Sequence, residues 1–157
     1  MKKLALFPCL MFLTLSLSAC DLFDNDAQKG LKHLRNTTYS GEQTTWIPHE
    51  QYVISFSNDT YTLSYHKDAV NTKEVKTPEE SQEVEGTFSF EAKKTYSWVG
   101  DWNAHQSVTY YIVKISTHPQ YENGAYITFQ LDSKVIYMNR EIPEDKNLGS
   151  GQMLVKQ

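Results

Sequence analysis

Five histidines, His33, His49, His66, His105 and His118, are the side chains best suited to ligate a metal or carry protons near neutral pH. No two of them lie at i, i+2 or i, i+4, and no Cys-x-x-Cys occurs. The close spacing that brings zinc ligands together along a chain is therefore missing, and no metal site is predicted. Serine and threonine are abundant, but no Gly-x-Ser-x-Gly elbow presents one of them as a nucleophile. The paired carboxylates Glu79 and Glu80 fall in a polar stretch, where water leaves them poor general acids. No glycine-rich phosphate loop appears. The residue types and their spacing thus predict no catalytic residue and no cofactor.

The residue with the most distinctive setting is Cys20. Met1-Lys2-Lys3 opens the chain, an apolar run extends from Leu4 to Ala19, and Cys20 follows. A bilayer span needs about 20 apolar residues, so this run is short for one. A basic start, a short apolar core and a small-residue exit describe a secretory signal peptide. Leu17-Ser18-Ala19-Cys20 resembles the lipobox of bacterial lipoproteins. That resemblance implies cleavage before Cys20, diacylglycerol on its sulfur and acylation of the new amino terminus. Cys9 leaves with the peptide, so no disulfide is expected. Asp21 resembles the inner-membrane retention signal of enteric-type lipoproteins, which implies an anchor in the inner membrane facing the periplasm, with the outer membrane as the alternative.

Removing residues 1–19 leaves 138 residues, the size of one domain. Losing Lys2 and Lys3 moves the formal net charge from −4 to −6. A chain of that sign is repelled by phosphate backbones, which argues against nucleic acid as a partner, and it gains nothing from anionic lipid. Ten Tyr, seven Phe and three Trp suit half-buried pleated surfaces.

Residues 21–30 are polar and acidic and read as a tether ending at Gly30, with Leu31 and Leu34 spaced for one turn of helix. Period-two alternation then takes over. It predicts strands over Thr37–Trp46, Gln51–Ser57, Thr60–His66, Glu85–Glu91, Thr95–Val99, Ser107–Ser116, Ala125–Leu131 and Lys134–Asn139, with Met153-Leu154-Val155 as a short last one. Asn58-Asp59 and Asp132-Ser133 read as turns, as does Ala92-Lys93-Lys94, and residues 67–83 read as a long mobile loop. Both faces of Ser107–Ser116 are apolar at its centre, so cover on both sides is expected. The links are too short for parallel crossovers, which predicts an antiparallel meander of eight or nine strands. Such a meander buries its apolar face by closing into a barrel, with Met153–Val155 against Thr37–Trp46; a two-sheet sandwich is the alternative. The expected organisation is a signal peptide over 1–19, a lipidated tether with a short helix over 20–36, and a β-barrel domain over 37–157.

Over residues 36–157 this strand order resembles small lipocalin-like bacterial lipoproteins, although Thr38-Tyr39-Ser40-Gly41 stands where lipocalins carry Gly-X-Trp. Periplasmic lysozyme-inhibitor barrels have a loop motif that opens Ser-Gly and continues to tyrosine; here Ser40-Gly41-Glu42-Gln43 leads to Thr44, and their cysteine pair is missing. Trp98 and Trp102 flank a predicted hairpin tip with Asp101 and His105. They form either a binding rim or, with Trp98 in the core and Trp102 as a lid, part of the packing. Trp46 admits the same two readings. An eight-stranded barrel holds packed side chains or one small ligand, and the supply of rings points to a filled interior. The expected function is a non-enzymatic binding module, joined to the membrane by its lipid, for a protein partner or a small apolar ligand, in an inhibitor or immunity-type role. A structural envelope component and a hydrolase with a dispersed site are the alternatives.

Overall fold

The computed structural model describes residues 25–43, 48–99 and 105–157. Cys20, Trp46, Asp101 and Trp102 lie outside them. Residues 25–34 form a helix, α1. Among the described residues ten strands follow: β1 (Thr37–Gln43), β2 (Glu50–Phe56), β3 (Thr60–Lys67), β4 (Val70–Asn71), β5 (Lys76–Thr77), β6 (Glu80–Val99), β7 (His105–Ile115), β8 (Ala125–Phe129), β9 (Val135–Asn139) and β10 (Gln152–Lys156). Eight of them close an antiparallel barrel in the order β1-β10-β9-β8-β7-β6-β3-β2. Closure comes from β10 against β1, with Tyr39 opposite Lys156 and Ser40 opposite Val155. The expected barrel and its closing pair are both present. Gly41 makes the close approach possible, because a Cβ there would fall on the Met153 carbonyl and the Leu154 side chain.

Alternation fills the lumen. Tyr39, Tyr52, Ile54, Phe56, Tyr61, Leu63, Tyr65, Phe88, Tyr111, Val113, Ile115, Ile127, Phe129, Ile136, Met138 and Leu154 form one buried cluster. Its rings meet at favourable angles, as in the edge-on contact of Phe56 with Phe88 at 5.1 Å between centroids. The second apolar face of β7 is covered too. Ile112, opposite Thr128, is fully buried on the outside of the sheet. There Thr128 Oγ1 donates to the Leu148 carbonyl at 2.7 Å, beside the short 3₁₀ turn Asp145–Asn147.

Two expectations about the strands give way. Ala92-Lys93-Lys94 is no turn: residues 80–99 are one strand, and its break in alternation is a β-bulge between Phe90 and Ala92. Phe90 opposes Val113 and Ala92 opposes Ile112, which leaves Glu91 unmatched. The segment Glu91–Thr95 holds no Gly, Pro, Asn or Asp to make a turn. The predicted loop 67–83 is also ordered. Val70–Asn71 pairs with Lys76–Thr77, and Glu80–Val84 pairs with Leu63–Lys67. Its polar composition hid a ladder held by backbone bonds and by side chains such as Ser64 Oγ, which donates to Glu83 at 2.9 Å.

The helix is longer than the single turn expected, and Gly30 lies inside it. It crosses the barrel mouth from which β1 departs. A Cβ on Gly30 would sit 3.0 Å from the Tyr111 ring and 3.5 Å from Phe90, so glycine lets the helix descend onto them. His33 stacks on Phe129 at 4.9 Å, and Leu34 is fully buried in the core. Asn36, with φ of 57°, ends the helix in the left-handed conformation. Arg35 bonds the Asn58 carbonyl at 2.6 Å and Asp59 at 2.8 Å, tying the helix end to the β2–β3 turn. Truncating Leu34 opens a cavity in this plug. Leu34→Ala is expected to cost about 3 kcal/mol, and Leu31→Ala, at the partly buried edge, clearly less; paired urea titrations of the two variants check the order.

Candidate functional site

Buried side chains fill the lumen, and the candidate sites among the described residues lie outside it. The first is a ribbon. The pairing of β3 with β6 stops at Thr60–Thr87, and that of β7 with β8 stops at Tyr111–Phe129. Beyond Lys93–Tyr111, β6 and β7 pair only with each other, up to Val99–His105. The bulge at Glu91 reverses which residues face out. Tyr96 and Trp98 therefore join Ile112 on the outer side, and Trp98 is 37% exposed rather than in the core. Its indole stacks on Tyr96 at 5.6 Å and 19°. Tyr96, Trp98, Val108, Tyr110, Asp145 and Leu148 are among the residues lining a shallow groove of about 290 Å³. The reverse side of the ribbon is polar: Lys93, Ser107, Thr109 and Tyr111 face the β8–β9 turn across a groove of about 530 Å³. His105 is exposed at the end of β7. Of the predicted rim, Trp98 and His105 are thus on the same projecting ribbon.

The second surface was not anticipated. Val135, Val155, Ser40 and Val53 form a register row across the outer faces of β9, β10, β1 and β2, with Tyr137 opposite Met153 beside it. Met153 is 51% exposed, Val53 41% and Val155 40%. On the other side of the barrel the outward residues of β3 and β6 are polar, among them Thr62, Ser64, Glu83 and Glu85. The sequence signal was the uninterrupted apolar run Met153-Leu154-Val155, which has no polar partner face.

On that polar side Ser81 Oγ and His66 Nδ1 are 2.8 Å apart, and His66 Nε2 lies 3.2 Å from Asp68. This hydroxyl–imidazole–carboxylate chain also escaped the sequence reading, because residue 81 fell in the supposed loop. Catalysis by such a chain needs an oriented base and preorganised donors in a site that excludes water. Here the imidazole and the carboxylate stand in water, with 36% and 56% of their side chains exposed. Among the described residues no cluster of three His, Cys, Asp or Glu could hold a metal ion.

The opposite mouth is roofed by residues 116–124. Thr117 N donates to Tyr61 Oη at 2.8 Å, and Tyr52 Oη donates to Gln120 Oε1 at 2.7 Å. His118 stacks on Tyr121 at 4.1 Å and is only 7% exposed. Its Nδ1 accepts the Gln120 N–H at 3.1 Å, whereas Nε2 is buried without a partner. Burial pushes the Tyr52 and Tyr65 hydroxyls up, with Glu50 adding to it, and pushes His118 down to about 4.

The sign of the pH effect follows. Above pH 6.5 His118 is neutral in both states and contributes nothing. Between 6.5 and 4 the unfolded chain binds a proton that the folded chain refuses, so stability falls with falling pH, by about 3 kcal/mol in all. His33, lowered first by burial and then by Lys156, adds to the same slope. His118→Asn keeps an acceptor near the Nδ1 position and is expected to flatten most of the decline; denaturant titrations at pH 7 and pH 4.5 measure it.

No protein-family model matches the chain, no curated protein matches its sequence, and no solved structure matches its fold.

Proposed function

We propose that the chain is a lipid-anchored, non-enzymatic binding module of the bacterial envelope that recognises a protein partner on its outer surface rather than a ligand in its lumen. One observation carries this reading: the interior is packed with side chains while the β9–β10–β1–β2 flank exposes Val53, Met153 and Val155 together. Outward strand positions on a monomer are ordinarily polar, and contiguous apolar ones rimmed by polar residues mark contact surfaces. Met and Tyr, both on this flank, are enriched where proteins meet. The lipobox-like Leu17-Ser18-Ala19-Cys20 supports the anchor, and Asp21 supports inner-membrane retention.

A photo-crosslinking residue at Val155 in living cells is expected to give one discrete protein adduct, identified by mass spectrometry, while the same residue at Glu85 gives none. A Val155 variant that folds normally and crosslinks to nothing overturns the proposal. The hydrolase alternative has its own observation, the Ser81–His66–Asp68 chain. A fluorophosphonate probe is expected to leave Ser81 unlabelled; stoichiometric labelling at that serine would favour the enzyme.

A further inference from the structure

The stacked Tyr96–Trp98 face stands clear of the barrel, and chain length restricts what it can meet. From Cys20 to residue 25, the first described residue of α1, there are five residue steps, at most about 18 Å of extended backbone. The near end of that stretch is fixed, because Asp26 bonds Lys93 at 2.9 Å. Lys93 is also where the ribbon leaves the barrel. From the Lys93–Tyr111 pair to the Val99–His105 pair the strands run six residues, about 20 Å. The ribbon continues out of the same mouth that α1 crosses. A membrane anchor at Cys20 therefore keeps the ribbon's base close to the bilayer, at a distance comparable to the ribbon's own length.

We propose that Tyr96 and Trp98 rest in the interfacial layer of the phospholipid bilayer, so that the ribbon is a second point of attachment beside the lipid. This deepens the predicted binding rim and rests on the lipid-anchor reading above. The chemistry of the ribbon suits that layer. The paired segments Thr95–Val99 and His105–Val108 include no Lys, Arg, Asp or Glu; Asp101 stands in the sequence between them, Asp145 lines the groove beside Trp98, and Lys93 and Lys94 stand at the base. Tryptophan and tyrosine concentrate where headgroups meet acyl chains, with an apolar ring body inside and a polar edge in water. With a formal charge of −6 after cleavage, the chain gains no attraction from anionic headgroups, so the contact is aromatic and insensitive to salt. One ring pair binds a bilayer weakly by itself. The anchor supplies the high effective concentration that lets a weak second contact form. Two attachments also fix orientation, with the 116–124 roof facing away from the membrane.

The test uses full-length lipidated protein in phosphatidylcholine vesicles, with Trp46→Phe and Trp102→Phe leaving Trp98 as the sole tryptophan. Lipids brominated along the acyl chain are expected to lower Trp98 emission about twofold through direct ring–lipid contact, equally at low and high salt, and aqueous iodide is expected to lose access to it. Intact mass of the same sample reports lipid on Cys20 independently. Lipidated protein whose Trp98 is untouched by bromolipid and open to iodide overturns the membrane contact and leaves the anchor standing. An unlipidated chain overturns both. A discrete protein adduct from a photo-crosslinker at position 98 assigns the face to a protein and overturns the proposal as well.

Discussion

Inside a closed eight-stranded barrel the space between opposite walls is about two side chains wide, and in this protein aromatic rings occupy it. Tyr39, Tyr52, Phe56, Tyr61, Tyr65, Phe88, Tyr111 and Phe129 all point inward and are all buried. Every other feature adapts to that packing. The helix brings Gly30 to the Tyr111 ring, where a Cβ would stand only 3.0 Å from it. The roof at residues 116–124 must satisfy the tyrosine hydroxyls, and Thr117 and Gln120 do so for Tyr61 and Tyr52. A hydroxyl buried without such partners costs the folded state free energy, and Tyr65 Oη is one that finds none. With the lumen filled, the proposed binding surface is the outside of the barrel.

The bulge at Glu91 is the device that makes an outside worth recognising. Without it, the even-numbered residues that face the core at Phe88 and Phe90 would continue to do so, and Tyr96 and Trp98 would fall on the ribbon's inner side. One unmatched residue turns them to solvent and gives the inner side to Lys93, Thr95 and Ser97. Of those polar groups Lys93 holds Asp26 of α1, while the Thr95 and Thr109 hydroxyls bond each other across the ribbon at 2.9 Å. One residue's worth of register thus separates an aromatic face from a polar one.

The exterior is divided in a second way. Glu, Ser and Thr cover the β3–β6 side, where cross-strand pairs such as Ser64–Glu83 are exposed and contribute little to stability. Val, Met and Tyr cover the β9–β10–β1–β2 side, where water gains nothing from their exposure. Stability does not ask for that asymmetry, since the inward cluster already supplies the core. Under the proposed function that flank is the contact surface.

By itself the sequence determined that the domain is an antiparallel meander; it pointed to closure on the last strand but left a two-sheet sandwich open, and the tertiary structure decided for the barrel. Alternation every second residue, short links and turn residues at Asn58-Asp59 and Asp132-Ser133 are local properties, and local sterics enforce them. Where alternation failed the sequence was silent or misleading. The lysines after Ala92 looked like a turn, and residues 80–84 looked like loop, because a bulge and a polar ladder leave no periodic trace. Only the tertiary structure decided that Trp98 is outside, that α1 is a plug rather than a tether, and that Val53 and Val155 share one flank. Each of these depends on register between strands distant in sequence, and register is fixed by the whole closed barrel, not by any one segment.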